Sequence, residues 1–155
     1  MADRIATISA TEVLGPHGYP TVETAVTTDR GCTGRAVVPW GMSVGKYESK
    51  KIYDGEKRYG GLGVRTVVRN VNEVIAPALV GHEVACQSNI DGCLLALDGT
   101  PDKSVLGGNA ILSVSMAAAR AAAESLGLPL YRYLGGIGAN RTPTLISNLV
   151  GGGSF

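Results

Sequence analysis

The run Asn109–Leu126, N-A-I-L-S-V-S-M-A-A-A-R-A-A-A-E-S-L, constrains this chain more than any other stretch. Its alanines favour helix. They also carry almost no side chain, so a neighbouring element can approach the helix closely. Gly127 follows at once, a residue suited to the left-handed position that ends a helix.

The segments before this helix are of two kinds, and their order matters. Ile5 to Leu14 is rich in β-branched residues and reads as a strand. Gly15 to Pro20, G-P-H-G-Y-P, is a turn. Thr21 to Thr28 alternates polar and apolar residues, as a half-buried strand does. Asp29-Arg30-Gly31 is a tight turn, and Cys32 to Val38 is a third strand. Three strands joined by two short loops predict an antiparallel meander. From Gly63 to Val80 the period changes: Val64, Val67, Val68, Val71, Val74, Ile75, Ala78 and Leu79 recur at steps of three and four, which predicts a helix with one apolar face. Pro77 should kink or end it. Ser88 is placed to cap a helix over 89–96. Asp98-Gly99-Thr100-Pro101 is a turn, and Leu128–Leu134 reads as a short helix started by Pro129 and stopped by Gly135-Gly136. Strands first and helices after predict an α+β fold, a three-stranded antiparallel meander followed by a helical bundle.

Composition sets the class. The 155 residues are 45% apolar, enough for one domain with a core. Fourteen basic and 13 acidic residues give a net charge of +1, which supports neither nucleic acid nor a membrane surface as partner. The three cysteines, Cys32, Cys86 and Cys93, are odd in number and lack a C-x-x-C spacing. They read as reduced thiols in a cytoplasmic protein. His17 and His82 are isolated from other ligand-type residues and read as surface or satisfied core histidines.

Between the third strand and the long helical region lies Pro39–Gly55, P-W-G-M-S-V-G-K-Y-E-S-K-K-I-Y-D-G. Gly41 and Gly45 can take backbone angles other residues resist, so this loop can fold over a ligand or open from it. The same pattern also describes an ordinary surface loop with two turn glycines. Lys46 and Glu48 read as a solvated or structural pair. Asp98 reads as a turn former and Asn109 as a helix cap.

Several words in this chain, in order, resemble the N-terminal domain of enolase. Asp98-Gly99-Thr100, Lys103-Ser104 and Leu106-Gly107-Gly108-Asn109-Ala110-Ile111-Leu112 resemble the family run L-D-G-T-x-x-K-S-x-L-G-A-N-A-I-L. Gly127–Gly136 resembles G-x-P-L-Y-R-Y-L-G-G. Gly18 with Pro20–Glu23 resembles R-G-N-P-T-V-E, and Val74–Leu79 resembles the family's helix end. The resemblance implies a capping domain over residues 1–141, with 142–155 as the start of a linker into a C-terminal barrel. It implies a magnesium-dependent lyase acting on 2-phosphoglycerate and phosphoenolpyruvate, or on an altered analogue, in which the enolate is stabilised by two magnesium ions while a lysine takes the proton. The barrel holds that lysine and the main metal ligands, so this chain alone is expected to be inactive. The glycine-rich end is what a chain cut near the domain boundary would show. The alternatives are a non-catalytic capping domain that binds a protein partner, and a paralogue subunit in phosphonate metabolism.

The resemblance also places a substrate lid on Trp40, Gly41, Met42, Ser43, Val44 and Gly45. Gly41, Ser43, Gly45, Tyr47 and Glu48 match the family loop. Trp40 stands where its first serine helps bind the second magnesium, and only the Trp40 backbone carbonyl could serve there. Met42 replaces a small Ala, Val44 a Thr, Lys51 a Glu and Tyr53 an Arg. At the far end Gly151 stands for an Asn and Phe155 for a His near the substrate phosphate. Glu23 matches a dimer-contact glutamate, although His17 replaces the nearby arginine. The implied partners are a small phosphorylated carboxylate once a barrel is supplied, and a second copy or an enolase-like subunit. The implied cofactor is magnesium, held by the full enzyme more than by this chain.

Overall fold

A computed structural model describes residues 2–39, 41 and 44–147. Three strands, β1 (Ile5–Leu14), β2 (Pro20–Thr28) and β3 (Thr33–Val37), form an antiparallel sheet in the order β1-β2-β3. The meander is as expected. Alternation decides the faces. Val22, Thr24 and Val26 of β2 point inward and are buried, as are Ile8 and Ala10 of β1 and Ala36 of β3. Glu23, Ala25 and Thr27 point to the other, more accessible face.

The alanine-rich helix covers the inner face. It is α4 (Gly108–Ser125), after α1 (Arg65–Arg69), α2 (Ala76–Leu79) and α3 (Gln87–Asp98), and before α5 (Leu130–Gly135). Its Ala110, Val114, Ala117, Ala118, Ala121 and Ala122 are buried against β2 and β3. The approach is close enough that a Cβ on Gly34 of β3 would lie 2.1 Å from the Ala117 carbonyl oxygen. One polar pair sits in this seam: the hydroxyls of Thr24 and Ser113, both fully buried, are 2.7 Å apart. At its end, Gly127 takes φ +64, its N–H bonds the Glu124 carbonyl and the Leu128 N–H bonds the Ala123 carbonyl, which satisfies the last turn.

The expected helix over 63–80 is present, but it is not uniform. α1 and α2 are joined by a wider π-helical segment, Asn70–Ile75. The buried stripe of this region is Val67, Val71, Ile75 and Leu79, all fully buried and spaced by four. In a plain α-helix each step of four overshoots one turn by about 40°, so the stripe would drift off the core. The wide turn removes that drift. It also relieves the carbonyl ahead of Pro77, whose ring has no N–H to offer. The proline therefore widens the helix before it, and the helix ends at Leu79.

Ser88 does not cap the third helix. α3 starts one residue earlier, at Gln87, with no side-chain cap, and the N–H groups of Asn89 and Ile90 bond the Cys86 carbonyl. Residues 141–147 have no regular secondary structure. Among the described residues, no single helix is long and apolar enough to cross a membrane.

Candidate functional site

The glycine loop leaves β3 and returns to α1, and the two halves of its return are built differently. Near its tip the Glu48 N–H bonds the Gly45 carbonyl, which closes a turn. The Glu48 carboxylate accepts the Gly45 N–H at 3.0 Å and pairs with Lys51 Nζ at 2.7 Å. Lys51 first, and the Gly45 amide second, hold the Glu48 carboxyl below the usual glutamate range. The expected Lys46–Glu48 pair is thus not made. Lys51, whose side chain is only 19% exposed, is the nearer cation, while Lys46 Nζ lies 5.4 Å from the Tyr47 ring centroid. Val44 and Tyr47 project into solvent, 80% and 91% exposed.

From Ser49 onward the chain is held to the N-terminus of α4. Lys50 donates its N–H to the Asp102 carbonyl at 2.8 Å and accepts the Gly108 N–H at 2.7 Å. Its ammonium lies 3.4 Å from the Asp102 carboxylate. Asn109 grips the next residue at two points: Oδ1 accepts the Ile52 N–H and Nδ2 donates to the Ile52 carbonyl. Asn109 is therefore not the expected helix cap. It is the second residue of α4, buried, with its amide turned to the loop.

Two acids complete the anchorage. Asp54 accepts the N–H groups of Arg65 and Thr66 at 3.0 and 2.9 Å and so closes the first turn of α1. Burial raises its carboxyl, but the bonds from Thr66 and Arg65 outweigh that and leave it below the usual aspartate value. Asp98 is a turn former, as expected, and more. It is buried, and it accepts the backbone N–H groups of Thr100, Val105 and Leu106, which shapes the segment that delivers Gly107 and Gly108.

An open depression of about 320 Å³ lies under the tip, lined by Gly41, Val44, Glu48, Ser49, Lys51 and Tyr53 among others. Of the expected lid residues, Gly41 and Val44 line it, and Gly45 is bonded to Glu48 of the same lining. Trp40, Met42 and Ser43 lie outside the described residues, as do Gly151 and Phe155. Glu23 is elsewhere, on the outer face of the sheet, 3.2 Å from Arg35 of β3.

The chain matches the family model described as "Enolase, N-terminal domain" over residues 5–134. It belongs to the enolase N-terminal domain family. It is similar to an enolase of Methanopyrus kandleri (strain AV19), 54% identical over 150 residues, which is 97% of this chain and 35% of that relative. The chain thus spans about a third of the length of the enolase it matches.

Enolases are generally magnesium-dependent, and magnesium takes hard oxygen ligands in near-octahedral geometry. Among the described residues no three His, Cys, Asp or Glu side chains converge to hold a metal. Glu48, the acid of the loop, is already committed to Lys51 and Gly45. The described residues do not assemble a magnesium site of their own.

The anchoring residues Asn109, Asp54 and Glu12 (which accepts the Val64 N–H and pairs with Arg58) were not read as such from the sequence. Nothing in local pattern marks them, because each binds backbone more than ten residues away.

Proposed function

We propose that this chain works as the lid-bearing N-terminal domain of a magnesium-dependent lyase, acting on 2-phosphoglycerate and phosphoenolpyruvate or an altered analogue. The observation that carries the reading is the built loop. Gly41, Val44 and Glu48 line a depression, while the return segment at Lys50 and Ile52 is fixed to the scaffold. Such a division suits closure over a small anionic substrate presented by a second domain, because excluding water strengthens the electrostatics around a developing enolate. The proton-abstracting base and the main metal ligands would come from that second domain. The lid's own part would be to position substrate through Gly41, Ser43 and Gly45.

The test is to fuse the chain to the remaining two-thirds of the Methanopyrus kandleri enolase and follow dehydration of 2-phosphoglycerate with magnesium. The fusion should turn over, Ser43→Ala should slow it, and the chain alone should give no turnover above its own Ser43→Ala control. A folded fusion without activity overturns the reading.

A second reading is a binding domain whose partner is a second copy or an enolase-like subunit. It is favoured by Leu95, Leu112 and Leu134, exposed apolar residues on the helical side of the molecule. Size-exclusion chromatography separates the two: a monomer at every concentration argues against self-association.

A further inference from the structure

Short segments of high β propensity, with little charge and no proline, are the ones that pair with copies of themselves. β1 is such a segment. Its ten residues, I-A-T-I-S-A-T-E-V-L, hold no proline, no glycine and one charge, Glu12. It also lies at an edge of the sheet. The opposite edge, β3, is only five residues long and carries Gly34 and Arg35, which weaken edge pairing. Glu12 gives β1 no such protection, because its carboxylate is turned to Arg58 and to the Val64 N–H.

What closes the β1 edge is not a strand. At its start, Ile5 accepts the Gly81 N–H at 2.8 Å and donates its own N–H to the His82 carbonyl at 2.9 Å. Beyond Ile5, among the described residues, the bonds to the β1 backbone from outside the sheet come from one side chain. Asn72 Oδ1 accepts the Ala10 N–H at 2.8 Å, and Asn72 Nδ2 donates to the Ala10 carbonyl at 3.1 Å. A residue of a fourth, antiparallel strand would make this same pair of bonds with Ala10. Asn72 lies in the wide turn Asn70–Ile75, directly after Val71. With Val71 and Ile75 held in the core, it stands on the flank that packs along β1. Asn72 itself is exposed, so this part of the edge is reachable from solvent.

We propose that Asn72 is an edge plug. Its amide occupies the place of a fourth strand on β1 and denies that place to β1 of a second copy. Without it, two β1 edges pair antiparallel across a two-fold axis, an arrangement in which each edge closes the other. This edge is separate from the glycine loop and from the exposed leucines, so the plug stands whichever of the two functions holds.

Asn72→Ala removes both bonds at an exposed helical position that alanine favours. Asn72→Leu removes them at nearly constant volume. Amide-resolved hydrogen exchange and sedimentation of the full chain read the two consequences. At low concentration the Ala10 amide should exchange about tenfold or more faster in both variants. Ser9 and Thr11, whose amides face β2, and Val114 in α4 should keep their rates. As concentration rises, the average mass of the variants should approach about twice that of the parent at the same concentration. Ala10 should then become slow again, as the new pairing covers it. A role limited to stability would speed all slow amides together, and that result overturns the proposal. So does an unchanged Ala10 rate, and so do variants that keep the parent's mass at every concentration.

Discussion

Gly34 and Gly45 sit in regions that use glycine for opposite reasons. At the seam between β3 and α4 there is no room. A methyl on Gly34 would meet the backbone of Ala117 and Ala121 at 2.1 and 2.3 Å, and backbone cannot step aside as a flexible side chain can. At Gly45 there is room among the described residues. A methyl there meets none of their atoms within 4 Å, and its φ lies outside the left-handed region that favours glycine. The first glycine is demanded by the fold as it stands. The second is not, so any demand for it must come from another conformation of the loop. Packing and motion can thus be told apart by asking what a single added methyl would touch.

The sharpest way to break the contrast is at the seam. Gly34→Val should force sheet and helix apart and destabilise the chain by about 3 kcal/mol or more, the upper range for overpacking a filled interior. A urea unfolding midpoint measures it. A midpoint within error of the parent would mean that the alanine seam has slack, and the contrast would fail on its closed side.

A smaller effect is expected at Asp98, which shapes the segment carrying Gly107 and Gly108. Asp98→Ala leaves the buried N–H of Leu106 and the part-buried N–H of Val105 without their acceptor and should cost about 2 kcal/mol. The same residue predicts a pH dependence. Burial raises its carboxyl, but hydrogen bonds from Thr100, Leu106 and Val105 more than offset this, so the folded value lies below the ordinary 3.8. A depressed folded pKa gives stability that is complete above the unfolded value and is lost as pH falls through the folded one. The unfolding midpoint should therefore decline as pH drops below 3.8. Asp98→Asn should decline less steeply, and parallel slopes would show that Asp98 is not the group responsible.

These two regions were not equally legible in the sequence. The strands were readable because alternation is local: β1 runs from Ile5 to Leu14, as its β-branched residues predict. The alanine helix was readable for the same reason, composition within a few turns. The wide segment before Pro77 was written in the four-residue spacing of Val67, Val71, Ile75 and Leu79, but that spacing also fits a plain amphipathic helix. The foot of the loop was not readable at all. Asn109 and Ile52 are 57 positions apart, and an asparagine at the start of a helix looks like a cap. Only the fold brings its amide to the loop. Likewise Glu48 had cations on both sides in sequence, Lys46 and Lys51, and only geometry chose Lys51.

The smallest expected effect is at Gly45, and it is the one that separates hinge from ornament. Gly45→Ala adds a methyl in open space at an unstrained backbone position. It should leave stability unchanged or raise it by about 0.4–1 kcal/mol, because the unfolded chain loses more freedom than the folded one. In the fusion enzyme the same variant should behave differently. If the tip must swing through a left-handed conformation to close, turnover falls while the unfolding midpoint does not, since the cost falls on the closed state alone. A variant equal to the parent in both respects would remove Gly45 as a hinge and leave Gly41 to carry the motion. A variant that loses stability in the isolated chain would show that Gly45 is held by contacts the fold already makes, and the contrast with Gly34 would collapse from its open side.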